Sequence, residues 1–134
     1  MNESRITLVV RSTEIDINGH VNNAKYLEYL EWGREDFYER AKLDYDTLIK
    51  LGVFTVSANI SINYRREAKQ NDVLTVITRP GQPGNKSFVF HQTILREADD
   101  TLIADASVTL VTVDAKTRKS TPLPAKLRSV LQSE

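Results

Sequence analysis

Asp16-Ile17-Asn18-Gly19-His20-Val21-Asn22-Asn23-Ala24-Lys25-Tyr26 decides how this chain folds, because a polar, turn-like segment here runs directly into a long amphipathic helix. Asn22 or Asn23 suits the N-cap, and Gly19 can take the positive φ of a tight entry turn. Between Asn23 and Leu43, Tyr26, Leu30, Gly33, Phe37 and Ala41 recur at helical steps, while Lys25, Glu28, Glu31, Glu35, Glu39 and Lys42 occupy much of the rest. The spacing predicts one stripe to bury and one face to solvate. Gly33 in mid-helix costs about 1 kcal/mol against Ala, which points to a packing reason such as close approach to a sheet.

Working outward, the alternation of Ile6, Leu8 and Val10 predicts a strand that delivers Asp16 just beyond its end. A short connection through Leu48, Leu51 and Gly52 follows the helix, and then the period changes. Val56, Ala58, Ile60, Ile62 and Tyr64 alternate with polar residues, predicting a half-buried strand whose even positions face the core. Val73 to Thr78 is a third strand, and Pro80 to Asn85 is a loop by composition. Ser87 to Leu95 and Thr101 to Val113 pair as a hairpin around Glu97-Ala98-Asp99-Asp100, and Pro124 to Gln132 forms a short last helix. Strands gathered on one side of a single helix argue for an α+β fold, with a curved antiparallel sheet covering the apolar stripe.

With 134 residues and neither repeat nor linker, the chain is expected to be one domain over 1–134. The absence of cysteine excludes disulfides, thiolate metal sites and a cysteine nucleophile. The N-terminus lacks the pattern of a signal peptide, and no run approaches the ~18 to 20 apolar residues of a membrane span, so a cytoplasmic protein without membrane association is expected. Lys plus Arg and Asp plus Glu are 18 each, a balance that provides no global field for nucleic acid. Arg65, Arg66 and Lys86, with Lys69 nearby, are local basic groups that could meet a phosphate or could simply be solvated surface.

The helix entry is where chemistry concentrates. A helix start offers unpaired backbone N–H groups and the positive end of the macrodipole, so it can polarise a carbonyl while Asp16 and His20 act beside it. Taken singly, Asp16 reads equally as a turn former, His20 and His91 as structural histidines, and Asn22-Asn23 as a cap. Asp16, Asn18 and His20 at two-residue steps before a helix are harder to dismiss together. The two histidines lie far apart in sequence and no His-Glu-x-x-His arrangement occurs, so no metal site is expected. Dinucleotide, P-loop and Gly-x-Ser-x-Gly motifs are also absent from the sequence.

The run Asp16-x-Asn18-Gly19-His20-Val21-Asn22-Asn23-x-x-Tyr26-x-x-Tyr29-x-Glu31-x-x-Arg34 resembles the signature of hotdog-fold thioesterases of the 4-hydroxybenzoyl-CoA thioesterase-like superfamily, and its core is also similar to plant acyl-ACP thioesterases. The likeness extends through Asp72, Ser87 and Val111-x-Val113-Asp114 to Pro122-Leu123-Pro124. It implies a hotdog fold, a long central α-helix wrapped by a five- or six-stranded antiparallel β-sheet, assembled as a homodimer or homotetramer with sites between subunits. It further implies hydrolysis of an acyl-CoA or acyl-ACP without a cofactor. In that reading Asp16 is nucleophile or general base, the N–H near Asn23 polarises the thioester carbonyl, and Asn18 and His20 map onto the Asn and His of the plant enzymes. Arg65, Arg66, Lys86 and Ser87 are the candidate substrate-binding residues. The family's Pro-x-x-x-Gly-Asp before the third strand is replaced here by Ala68-Lys69-Gln70-Asn71-Asp72, which departs from the pattern at that loop. A noncatalytic acyl-CoA-binding hotdog module and a hotdog dehydratase are the competing readings.

Overall fold

Alternating apolar residues at the start of the chain pair as expected. The computed structural model describes residues 2–133, with β1 at Ser4–Val9, a 3-10 turn at Ser12–Glu14 and helix α1 at Asn23–Arg40. Helix α2 spans Tyr45–Lys50 and is followed by β2 (Val53–Tyr64), β3 (Val73–Pro80), β4 (Ser87–Arg96), β5 (Thr101–Asp114) and helix α3 (Ala125–Gln132). The strands form one five-stranded antiparallel sheet in the order β1-β3-β4-β5-β2. Helix α1 lies on its inner face, the expected hotdog arrangement.

Close approach of helix to sheet explains Gly33. A Cβ built there would meet Thr78 Oγ1 and Val76 Cγ1 at 2.8 Å and Gln92 Nε2 at 3.0 Å. Gln92, fully buried on β4, donates through Nε2 to Leu30 O at 2.9 Å and to Thr78 Oγ1 at 2.8 Å, while its Oε1 accepts from Arg34 Nη1 at 3.1 Å. This amide satisfies polar groups of helix and sheet that burial would otherwise strand. Two apolar clusters flank it. One gathers Tyr26, Tyr29 and Leu30 with Val76, Ile94 and Ile103; the other gathers Phe37, Phe88, Phe90 and Val108 with Leu127 of α3.

Three local features differ from the sequence reading. Helix α1 ends at Arg40, not Leu43, because Lys42 turns left-handed at φ 59° and Leu43 N–H caps Tyr38 O at 2.8 Å. The segment read as a simple connection contains α2, capped by Asp44, whose Oδ1 accepts from Thr47 N–H at 3.0 Å. In β2 the even positions do not all face the core. Ser57 sits opposite Leu110 and Asn59 opposite Thr109, so an extra residue at Ala58 shifts the phase and turns Val56 to the outer face. Ile60 and Tyr64 do lie on the helix side, yet they stay 40% and 47% exposed because β2 is an edge strand that α1 covers only at its Tyr64 end.

Candidate active site

The limb between β1 and α1 folds back on itself. Asp16 N–H donates to His20 O at 2.9 Å, Gly19 N–H to Asp16 O at 3.1 Å, and Ile15 and Val21 form an isolated antiparallel bridge. Gly19 takes the positive φ, 81°, that this reversal requires. The limb is then fastened at its far end, where Val21 N–H donates to Ala68 O at 2.8 Å and Asn22 N–H to Glu14 O at 2.9 Å. Asn22, not Asn23, is the N-cap, and its side chain accepts from Ala24 N–H at 2.9 Å. Asn23 therefore opens the helix.

Asp16 is partly buried, with Oδ1 accepting from the backbone N–H of Asn18 at 2.9 Å and Oδ2 standing 3.7 Å from His20 Nδ1. The Asn18 contribution to this contact is thus its main chain; its side chain is exposed. His20 Nδ1 also lies 3.3 Å from Val21 O, a contact that becomes a hydrogen bond when that nitrogen carries the proton. In the first turn of α1, Ala24 N–H is taken by Asn22 Oδ1 and Lys25 N–H by Asn22 O. The Asn23 N–H falls outside the intrahelical ladder and stands at the positive end of the helix.

A groove of about 210 Å³ opens beside this helix start, walled by His20, Asn23, Tyr26, Tyr64, Arg65 and Arg66. Asp16, 3.7 Å from His20 Nδ1, is not one of its walls. Tyr64 crosses from β2 to donate to Asn23 O at 3.3 Å and packs on Tyr26, ring centroids 5.5 Å apart. The Tyr26 hydroxyl accepts from Ala68 N–H at 3.3 Å. The departure from the family pattern at this loop is absorbed locally: Asn71 adopts φ 72°, a conformation Asn tolerates, and Asp72 Oδ2 accepts from Lys69 N–H at 2.9 Å. Sequence reasoning assigned Tyr64 to the core and passed over Glu14; the polar neighbours of the Asp16 motif were the available signal.

The candidate phosphate binders divide. Arg65 holds Asp105 through Nε at 2.7 Å, and that pairing keeps the Asp105 carboxyl below its ordinary range, with Asn63 adding to the effect. The Arg66 guanidinium donates to the Arg65 carbonyl, at 3.0 Å, and pairs with no carboxylate among the described residues; its backbone N–H donates to Ile103 O at 3.2 Å. Lys86 and Ser87 stand elsewhere. Ser87 pairs with Val111 near one end of β5, whereas Arg65 N–H donates to Ile103 O near the other, a separation of roughly 25 Å at ~3.3 Å per residue. One protomer therefore brings Asp16, His20, Asn23, Arg65 and Arg66 together but leaves Lys86 and Ser87 apart. Among the described residues, no three His, Asp or Glu side chains gather as metal ligands, and no helix is long and apolar enough to cross a membrane.

A carboxylate, an imidazole and a helix-start N–H beside a groove suit acyl transfer. The model of the thioesterase-like superfamily matches residues 10–131. The chain is 38% identical over 123 residues to the long-chain acyl-CoA thioesterase FadM of Escherichia coli (strain K12), covering 92% of each. The probable thioesterase YbaW from Escherichia coli superposes with a TM-score of 0.84 at 35% identity, over 98% of this chain and 97% of that one. A 1,4-dihydroxy-2-naphthoyl-CoA thioesterase from Synechocystis, Slr0204, gives a TM-score of 0.88 at 21% identity over 96% and 95% of the two chains, a likeness that bears on the fold alone.

Proposed function

We propose, for a chain that belongs to the thioesterase-like superfamily and is a thioesterase, that Asp16 supplies the carboxylate that opens an acyl-CoA thioester while the Asn23 N–H receives its carbonyl oxygen. The observation that carries this reading is the Asp16 carboxylate held by Asn18 N–H, with His20 at 3.7 Å, at the entry to a helix whose first N–H stays outside its own cap. In the reaction the acyl C–S bond breaks, water provides the hydroxyl of the released acid, and the thiol leaves as thiolate. A free thiol ionises at about 8.5, so departure needs no obligatory general acid. Direct attack by Asp16 and deprotonation of a water both start from the ionised carboxylate. His20 positions that carboxylate, and Arg66 meets a phosphate of the carrier.

The working unit in this reading is a homodimer. An open sheet leaves edges, and β2 presents a 12-residue edge with Ile60 and Tyr64 partly exposed on its helix side. Antiparallel pairing of two β2 strands lays the Val53 end of one against the Tyr64 end of the other. The Lys86 and Ser87 half of one protomer then faces the groove of the second, so residues kept apart within a chain contribute to one interfacial site.

Asp16→Asn tests the assignment. It keeps size and hydrogen bonding while removing the basic carboxylate, so hydrolysis of acyl-CoAs, followed by thiol release, should fall at least about a hundredfold with oligomer profile and melting unchanged. A panel of short, long and aromatic acyl-CoAs, with acyl-ACPs alongside, ranks substrates in the same assay. Near-normal turnover by a correctly assembled variant defeats the mechanism.

A further inference from the structure

We infer that Glu14 is a positioning residue for this reaction: through the buried Tyr29 hydroxyl it holds the limb that carries Asp16 against the body of helix α1. The inference rests on the reading of Asp16 as the reacting carboxylate. Glu14 sits two residues before Asp16, and a single carboxylate oxygen, Oε1, accepts from Tyr29 Oη at 2.8 Å and from Arg11 N–H at 2.9 Å. Its backbone carbonyl accepts from Asn22 N–H at 2.9 Å, so one residue touches the start of the limb, the helix cap and the helix body. The bonds from Asp16 to His20 and Asn18 are internal to the limb and fix its shape, not its place on the helix. The Glu14–Tyr29 bond crosses to a side chain about two turns beyond the cap.

Tyr29 is a suitable anchor. It is fully buried, meets Tyr26 edge-on at 6.0 Å, and belongs to the aromatic row that continues to Tyr64 at the groove. Burial first, and then the bond to Glu14, holds its hydroxyl well above the ordinary tyrosine range, so it stays a neutral donor to an ionised acceptor. A solvated surface acid would need neither partner. Because a misplacement of about 1 Å can cost up to about a hundredfold in rate, a loosened limb should register in turnover before it registers in binding.

The test is kcat and KM on an acyl-CoA for the full chain, in Glu14→Ala, Glu14→Gln, Tyr29→Phe and the Glu14→Ala/Tyr29→Phe double variant. Glu14→Ala and Tyr29→Phe should each lower kcat about tenfold with KM within about twofold, and the double variant should fall no further than the worse single. Glu14→Gln keeps an acceptor and should stay within about threefold of wild type. In an Asp16→Asn background, Glu14→Ala should remove nothing more, because it acts through Asp16. Wild-type kcat in Glu14→Ala, an equal fractional loss in the Asp16→Asn background, or a loss confined to KM overturns the inference. If Glu14→Ala does not fold, Tyr29→Phe, which keeps the ring, carries the same comparison. A crippled Asp16→Asn beside an unaffected Glu14→Ala defeats only the positioning role, whereas a fully active Asp16→Asn defeats the catalytic assignment beneath it.

Discussion

Arg65 and Arg66 are adjacent in sequence and face the same groove, yet their surroundings give them different duties. The Arg65 guanidinium is committed to Asp105, while that of Arg66 holds only the Arg65 carbonyl. Arg66→Ala should therefore raise KM for acyl-CoA about threefold to tenfold with little change in kcat, and Arg65→Ala should raise it less, with added salt weakening wild-type binding in the same direction. Equal KM values for both variants and wild type would place the carrier phosphates elsewhere. A second residue prediction concerns Tyr38, whose hydroxyl burial pushes up to about 12, with the Thr55 side chain acting the other way. A tyrosine raised above its unfolded value of about 10 favours folding fully below that pH and loses its contribution as pH climbs through the folded value. Denaturant titrations should show stability falling between pH 10 and about 12, and Tyr38→Phe should shallow that slope relative to wild type. The buried Tyr26 and Tyr29, also raised, add to the slope in the same direction.

Helix α1 and strand β2 illustrate how elements are read with unequal success. The recurrence of Tyr26, Leu30, Gly33 and Phe37 declared the helix and its buried stripe, and all four are buried. Gly33 is also open to a sharp test. Alanine would improve helix propensity by about 1 kcal/mol, but its Cβ would strike Thr78 and Val76 at 2.8 Å, so Gly33→Ala should destabilise by about 1 to 3 kcal/mol in urea unfolding. A stabilised variant would show that helix and sheet can separate at no cost. Strand β2 was legible as a strand but not in its facing, because one bulged residue at Ala58 exchanges the two faces and leaves no mark in an alternating pattern. Helix α2 escaped notice for a related reason: its six residues are too few for a period to emerge, and only the Asp44 cap signals it.

At the scale of the molecule, assembly is the property most exposed to test. Sedimentation or light scattering should give a dimer at assay concentrations, and Ile60→Lys, which puts a charge on the uncovered face of β2, should yield monomer and lower hydrolysis by at least about tenfold. A folded monomer with full activity would remove the interfacial site. The fold class, the helix entry and the acid beside it were open to reading because they are local. Caps, periods and the close spacing of Asp16, Asn18, His20 and Asn23 lie within a few residues of one another, and short-range sterics and hydrogen bonds suffice to express them. What only the tertiary structure decided lies across long separations: Tyr64 donating to the Asn23 carbonyl, Arg65 drawn to Asp105, and Tyr29 reaching Glu14. Lys86 and Ser87 stand at the far end of the sheet for the same reason, since strand order and register govern where they fall, and both depend on which partners the packed core allows.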